Sequence, residues 1–182
     1  SEKLLHTSNL YGIASQEALA EQLTDKSGMD NVFFCNSGAE ANEAAIKIAR
    51  LYGHQQGITK PCIITMNKSF HGRTLATLSA TGNPKVQEGF APLSEDFVHV
   101  PFNDIDAIKT AIKQNSHIVA VLVEPIQGEG GFYQAPAEFL QALRNICDQH
   151  GIVLIADEIQ TGFGRTGKMF NFEYSGVEPD LI

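Results

Sequence analysis

The feature that most constrains this chain is a set of short runs that are apolar at nearly every position. Residues 61–66, 117–124 and 152–156 read P-C-I-I-T-M, H-I-V-A-V-L-V-E and I-V-L-I-A. A strand with one wet face alternates apolar and polar residues, whereas a strand covered on both faces need not. Helical stretches lie between these runs. Residues 15–28 carry Ala18, Leu19, Gln22 and Leu23 at helical spacing and stop at Gly28. Residues 39–53 are alanine-rich, and 104–115 and 135–150 are also helical, the last with Gly151 past its end. Residues 31–35 (V-F-F-C after Asn31) and 97–100 complete the strands. Strand and helix alternate, which predicts a three-layer α/β fold around a mostly parallel sheet. The 182 residues suit one domain, with no repeat or linker to divide them.

Composition narrows the function classes. Hydrophobic residues at 43% and charged residues at 19% fit a globular chain rather than a disordered one. No apolar run approaches a membrane span and no signal-peptide layout is visible, so a cytoplasmic location and no membrane partner are expected. A formal net charge of -8 disfavours binding to nucleic-acid backbones, although a local pocket can still take a small anion. Cys35, Cys62 and Cys147 are far apart without a C-x-x-C, and are expected to be buried thiols in a reducing compartment. The histidines lack metal-ligand spacing and no metal site is expected. His71 stands out only for its neighbours.

In parallel sheets ligands bind beyond the carboxyl ends of the strands. Segments 36–42, 67–73, 124–131 and 157–167 occupy such positions. Ser37, Gly38 and Ala39 open a helix, where free N–H groups and the positive dipole end suit a phosphate. An ordinary N-cap with a turn glycine reads the same way. Asp157 follows an apolar strand directly. A carboxylate there is costly unless it meets a cation, and a protonated pyridine nitrogen is one such cation. Gln160 could reach a ring hydroxyl and Ile159 a ring face. The alternatives for Asp157 are a loop cap or a magnesium ligand. Phe70 and Arg73 share one loop. The ring can stack on a flat cofactor and the guanidinium can grip a carboxylate through two hydrogen bonds. Core packing for Phe70 and a bare surface position for Arg73 are the plainer readings. Glu124, held by Pro125 at a strand end, could pair with a distant arginine or be a solvated loop acid.

Residues 162–169, G-F-G-R-T-G-K-M, nearly fit G-x-x-x-x-G-K-[ST] and contain G-x-G-x-x-G. Met169 stands where a magnesium-binding hydroxyl is required. The acidic strand also comes before the glycine loop rather than after it, and no helical stripe follows. The segment is expected to be a structural turn, and a nucleotide binder remains a remote alternative.

Taken together and in this order, S-G-A-E-A-N-E, S-F-H-G-R-T, V-E-P-I-Q-G-E-G-G and A-D-E-I-Q-T-G-F-G-R-T-G resemble the class III (ω-amino-acid) aminotransferases. These are fold-type I pyridoxal-phosphate enzymes. H-T-S-N-L-Y and L-A-T-L-S-A-T-G-N-P-K-V-Q-E-G-F-A-P-L resemble the branch acting on acetylornithine; ornithine, succinylornithine and 4-aminobutyrate are the other donors considered. The resemblance implies the large domain of that fold and the cofactor pyridoxal 5'-phosphate. It implies amino-acid and 2-oxo-acid substrates and a homodimer at full length. Ser37, Gly38 and Ala39 would bind the cofactor phosphate. Phe70 and Ile159 would sandwich the ring, with Asp157 on its nitrogen and Gln160 on its hydroxyl. Arg73 would bind the α-carboxylate of acetylornithine. Glu124 would gate an arginine outside the chain, neutralising it for the donor and releasing it for 2-oxoglutarate or glutamate. The family's Schiff-base lysine falls roughly four residues past Ile182 by family spacing, on a loop suited to a lysine nucleophile. No lysine from Lys47 to Lys168 matches it. On that reading residues 1–182 are the central part of the large domain. The N-terminal segment, the lysine region and the C-terminal small domain are missing, and the piece alone is expected to be inactive.

Overall fold

The computed structural model describes residues 8 and 10–182, so half of the H-T-S-N-L-Y segment (His6, Thr7 and Asn9) lies outside the described residues. The chain divides into two compact units, Ser1–Phe34 and Cys35–Ile182.

In the first unit helix α1 spans Ala14–Ser27. It stops at Gly28, whose φ of 75° is the left-handed region that glycine enters freely, and the Gly28 amide donates to the Thr24 carbonyl. The strand expected over residues 31–35 does not form. A strand is stabilised by its ladder, and among the described residues nothing pairs with this run, which leaves Phe33 67% exposed. Composition suggested a strand, but pairing decides whether one forms.

The second unit runs α2 (Gly38–Gln55), β1 (Cys62–Met66), α3 (Leu75–Ala80), α4 (Pro84–Gln87), β2 (Phe97–Val100), α5 (Ile105–Gln114) and β3 (Ile118–Val123). It continues with β4 (Ile126–Gln127), β5 (Tyr133–Gln134), α6 (Ala137–His150), β6 (Val153–Ala156) and a 3-10 turn at Asn171–Tyr174. Four strands form a sheet in the order β2-β1-β3-β6, every pair parallel. A separate antiparallel pair joins β4 and β5. Leu181 adds a single parallel bridge to Ile155 of β6.

Two apolar layers explain the continuously apolar strands. On one face Ile46 and Ala49 of α2 meet Ile63, Val119, Leu122 and Ile155. On the other Ile108, Phe139, Leu143 and Cys147 of α5 and α6 meet Ile64, Met66, Val121 and Leu154. Every residue of β1 and β3 is therefore buried, as a three-layer α/β arrangement requires. No helix among the described residues is long and apolar enough to cross a membrane. Burial raises the pKa of the Cys62 thiol, and that of Cys147 to about 12. Cys35 departs from expectation. It is exposed, because the run that carries it joins no sheet.

Candidate functional site

A parallel sheet sends all its carboxyl ends to one edge. Residues 67–73, Glu124 and Asp157 follow β1, β3 and β6, and so meet there. The Asp157 amide donates to the Val123 carbonyl at 2.8 Å, which ties the β6 exit to the β3 exit.

Asp157 is only 7% exposed. Its Oδ2 accepts from Asn42 Nδ2 at 2.8 Å and lies 2.7 Å from His71 Nδ1, while Oδ1 accepts from the Ile159 amide at 3.2 Å. Donors therefore meet a carboxylate that would otherwise be stranded. Asn42 also donates to the His71 carbonyl at 2.9 Å. The sequence reading missed Asn42, although a signal was present. Asn42, Ile46, Ala49 and Gly53 are the buried stripe of α2, and an amide in an apolar stripe needs a partner.

Ser37 caps α2, its Oγ accepting from the Glu40 amide at 3.3 Å and its carbonyl from the Ala41 amide at 3.0 Å. The Gly38 and Ala39 amides, which have no intrahelical partner, are left for a ligand or solvent. The Glu40 carboxylate turns back and accepts from the Asn36 amide at 2.6 Å. A Cβ on Gly38 would lie 2.8 Å from Ile159 Cγ2, so glycine lets the helix start touch the residue beside Asp157. A Cβ on Gly72 would lie 3.0 Å from that of Ala39, which brings the 67–73 loop against the same helix start.

Glu124 is buried and accepts from the Phe70 amide at 3.1 Å. Burial raises its pKa from 4.5 to about 7, and nearby Asp157 pushes the same way. His71 and the Phe70 and Gly128 amides oppose the shift. A solvated loop acid is thereby ruled out. Phe70 is half-buried. Ile159 is 46% exposed, and Gln160 and Arg73 are exposed. Ser37, Gly38, Ala39, Phe70, Glu124, Asp157 and Ile159 thus lie on connected segments around one edge. Arg73 and Gln160 extend from those segments without a side-chain partner among the described residues.

Segment 162–167 is a run of turns, with Phe163 and Gly164 at φ of 57° and 79°. The helical structure that follows it is a four-residue 3-10 turn. Lys168 donates to the Glu173 carbonyl at 3.1 Å and lies 4.7 Å from the Tyr174 ring centroid, so it is engaged within its own loop. The expected structural turn fits these contacts. Its anchor is Glu158, which the sequence reading missed. One carboxylate oxygen accepts from the Phe172 amide at 2.8 Å, the other from the Asn171 amide at 2.9 Å and from Thr161 Oγ1.

The family model described as class-III aminotransferase matches residues 1–182. An acetylornithine aminotransferase of Nitrosomonas europaea is 59% identical over 179 residues, which is 98% of this chain and 46% of the relative. The crystal structure of N-acetylornithine aminotransferase from Stenotrophomonas maltophilia K279a is 41% identical with a TM-score of 0.83, over 99% of this chain and 44% of that one. An ornithine aminotransferase from Toxoplasma gondii, described with partial occupancy of PLP at its active site, has a TM-score of 0.93 at 32% identity. That match covers 99% of this chain and 43% of the other. The chain thus spans less than half the length of these relatives.

Proposed function

Because the chain belongs to the class-III aminotransferases, we propose that it forms the cofactor-binding core of an enzyme moving an amino group from N2-acetyl-L-ornithine to 2-oxoglutarate. The products are N-acetyl-L-glutamate 5-semialdehyde and L-glutamate. The observation that carries this reading is Asp157. It is buried, held mainly through Oδ2 by Asn42 and His71 with Oδ1 accepting only a longer bond from the Ile159 amide, and stands beside a glycine-opened helix start. These residues fit pyridoxal phosphate. The Gly38 contact is a cradle that a Cβ would fill, with amides suited to a phosphate.

Bound there, pyridoxal phosphate supplies the electron sink that lets nitrogen leave one carbon and join another. The chain's own residues bind and orient. Ser37, Gly38 and Ala39 hold the phosphate. Phe70 and Ile159 flank the ring. Asp157 holds a proton at the ring nitrogen and Gln160 meets the ring hydroxyl. Arg73 takes the donor's α-carboxylate as a two-bond fork, a role supported by its exposed side chain, which has no partner among the described residues. Glu124, with its pKa raised by burial, is suited to accept a cation and to give it up again. The 59% identity to an acetylornithine aminotransferase supports that donor over ornithine, succinylornithine or 4-aminobutyrate. We also propose that the full-length protein is a homodimer located in the cytoplasm.

The test is glutamate formation by the full-length protein from acetylornithine and 2-oxoglutarate. Arg73→Ala should weaken acetylornithine use by on the order of tenfold or more and leave the cofactor bound. Arg73→Lys should recover only part, because lysine cannot reproduce the fork. Loss of cofactor with unchanged donor kinetics would remove Arg73 from this role. Turnover of 4-aminobutyrate without turnover of acetylornithine would remove the substrate.

A further inference from the structure

Asp157 is held by residues that no substrate or cofactor role uses. Asn42 spends both hydrogens of one amide nitrogen, one on Asp157 Oδ2 at 2.8 Å and the other on the His71 carbonyl at 2.9 Å. The reversed amide would turn its oxygen toward two acceptors, so these contacts fix its orientation. His71 brings Nδ1 to 2.7 Å from the same Oδ2, and its Nε2 is buried with no partner among the described residues. Since the carboxylate accepts, Nδ1 carries the hydrogen. A hydrogen on Nε2 instead would be a buried donor with nowhere to go. The His71 backbone is fixed in turn, its amide donating to Thr81 Oγ1 at 3.0 Å.

Three pieces of chain therefore converge on one oxygen: the buried stripe of α2, the loop after β1, and the exit of β6. Oδ2 already receives two donors. Among the described residues Oδ1 receives only the Ile159 amide, at 3.2 Å, and keeps lone-pair capacity. We propose that Asn42 and His71 are positioning residues that clamp the Asp157 carboxylate through Oδ2, so that Oδ1 is the oxygen offered to a cationic ring nitrogen. This rests on the aminotransferase reading for the identity of that cation. The clamp itself rests only on the geometry.

The experiment uses the full-length protein with Asn42→Asp, His71→Leu and His71→Asn, each checked for folding by circular dichroism and thermal melting. Asn42→Asp keeps the shape and removes both donors. His71→Leu removes the ring donor. His71→Asn keeps an N–H close to the Nδ1 position. Pyridoxal phosphate affinity is read by absorbance titration of the cofactor-free protein, and the His71 tautomer by nitrogen NMR of the same cofactor-free sample. Asn42→Asp and His71→Leu should weaken cofactor binding by on the order of 10–100-fold, the size usual when the outer partner of a ligating group is lost. His71→Asn should restore most of that, and the acetylornithine KM should stay near wild type. The NMR should show the hydrogen on Nδ1. Folded variants that bind pyridoxal phosphate as tightly as wild type, or a wild-type hydrogen on Nε2, would overturn the proposal. If Asp157→Asn weakens binding and the other variants do not, the clamp fails and the aminotransferase reading stands. If wild type binds no cofactor, the reading fails and the NMR alone decides the clamp. Should Asn42→Asp not fold, the His71 pair decides.

Discussion

A carboxyl group buried at the end of a strand has to be stabilised by its immediate neighbours, and Glu124 is only partly so. The Phe70 amide helps the charged form, but burial outweighs it and carries the pKa from 4.5 to about 7. The folded chain then holds this proton more tightly than the unfolded chain. The stability it contributes is fully present below about pH 4.5 and is lost as pH rises through about 7. The full span is worth roughly 3 kcal/mol as an order of magnitude. Glu124→Gln keeps an acceptor for Phe70 and cannot ionise. Urea unfolding at pH 4.5 and pH 8 should therefore show the variant losing less stability than wild type on going to the higher pH. An equal loss in both proteins would mean that Glu124 is not held in this way.

At the scale of elements, α2 seats on β3 through Gly53. A Cβ there would lie 2.5 Å from Val119 Cγ1 and 3.3 Å from Pro61 Cβ. Alanine is preferred over glycine within a helix by about 1 kcal/mol. Overpacking a core typically costs about 1–3 kcal/mol. Val119 is β-branched and 1% exposed, so it has little room to turn away. Packing should win, and Gly53→Ala should lower the midpoint of thermal unfolding by a few degrees. A midpoint at or above wild type would show that propensity decides instead. The same contrast between local and distant forces marks what the sequence could reveal. The runs behind β1, β3 and β6 are apolar because both faces are covered, and that is readable residue by residue. Residues 31–35 have equally strand-like composition, yet no partner pairs with them among the described residues. Helix α3 is only six residues of mixed Leu, Ala, Thr and Ser, too short for a period to emerge. Strands β4 and β5 have two residues each and exist only as a pair.

At the scale of the molecule, the parallel sheet converts distance along the chain into proximity. Asp157 and Glu124 were legible because each is an acid directly after a buried strand. The residues that hold Asp157 were harder to see. Asn42 is 115 positions away in sequence and shows itself only as a polar break in an apolar stripe. Glu158 hid beside Asp157, since its amide partners lie in a turn whose shape no local pattern announces. The glycine-rich run at 162–169 drew attention by motif, yet its Lys168 is occupied within its own loop. In the proposed function Asp157 holds the proton on the cofactor ring. The donor half-reaction of the full-length protein, followed by cofactor absorbance after mixing with acetylornithine, tests it most directly. Asp157→Asn has almost the same shape without the charge. The variant should fold and its half-reaction should slow by on the order of 100-fold, the scale set by losing a charge-assisted hydrogen bond worth about 1.5–3 kcal/mol. A half-reaction within a few-fold of wild type would contradict it.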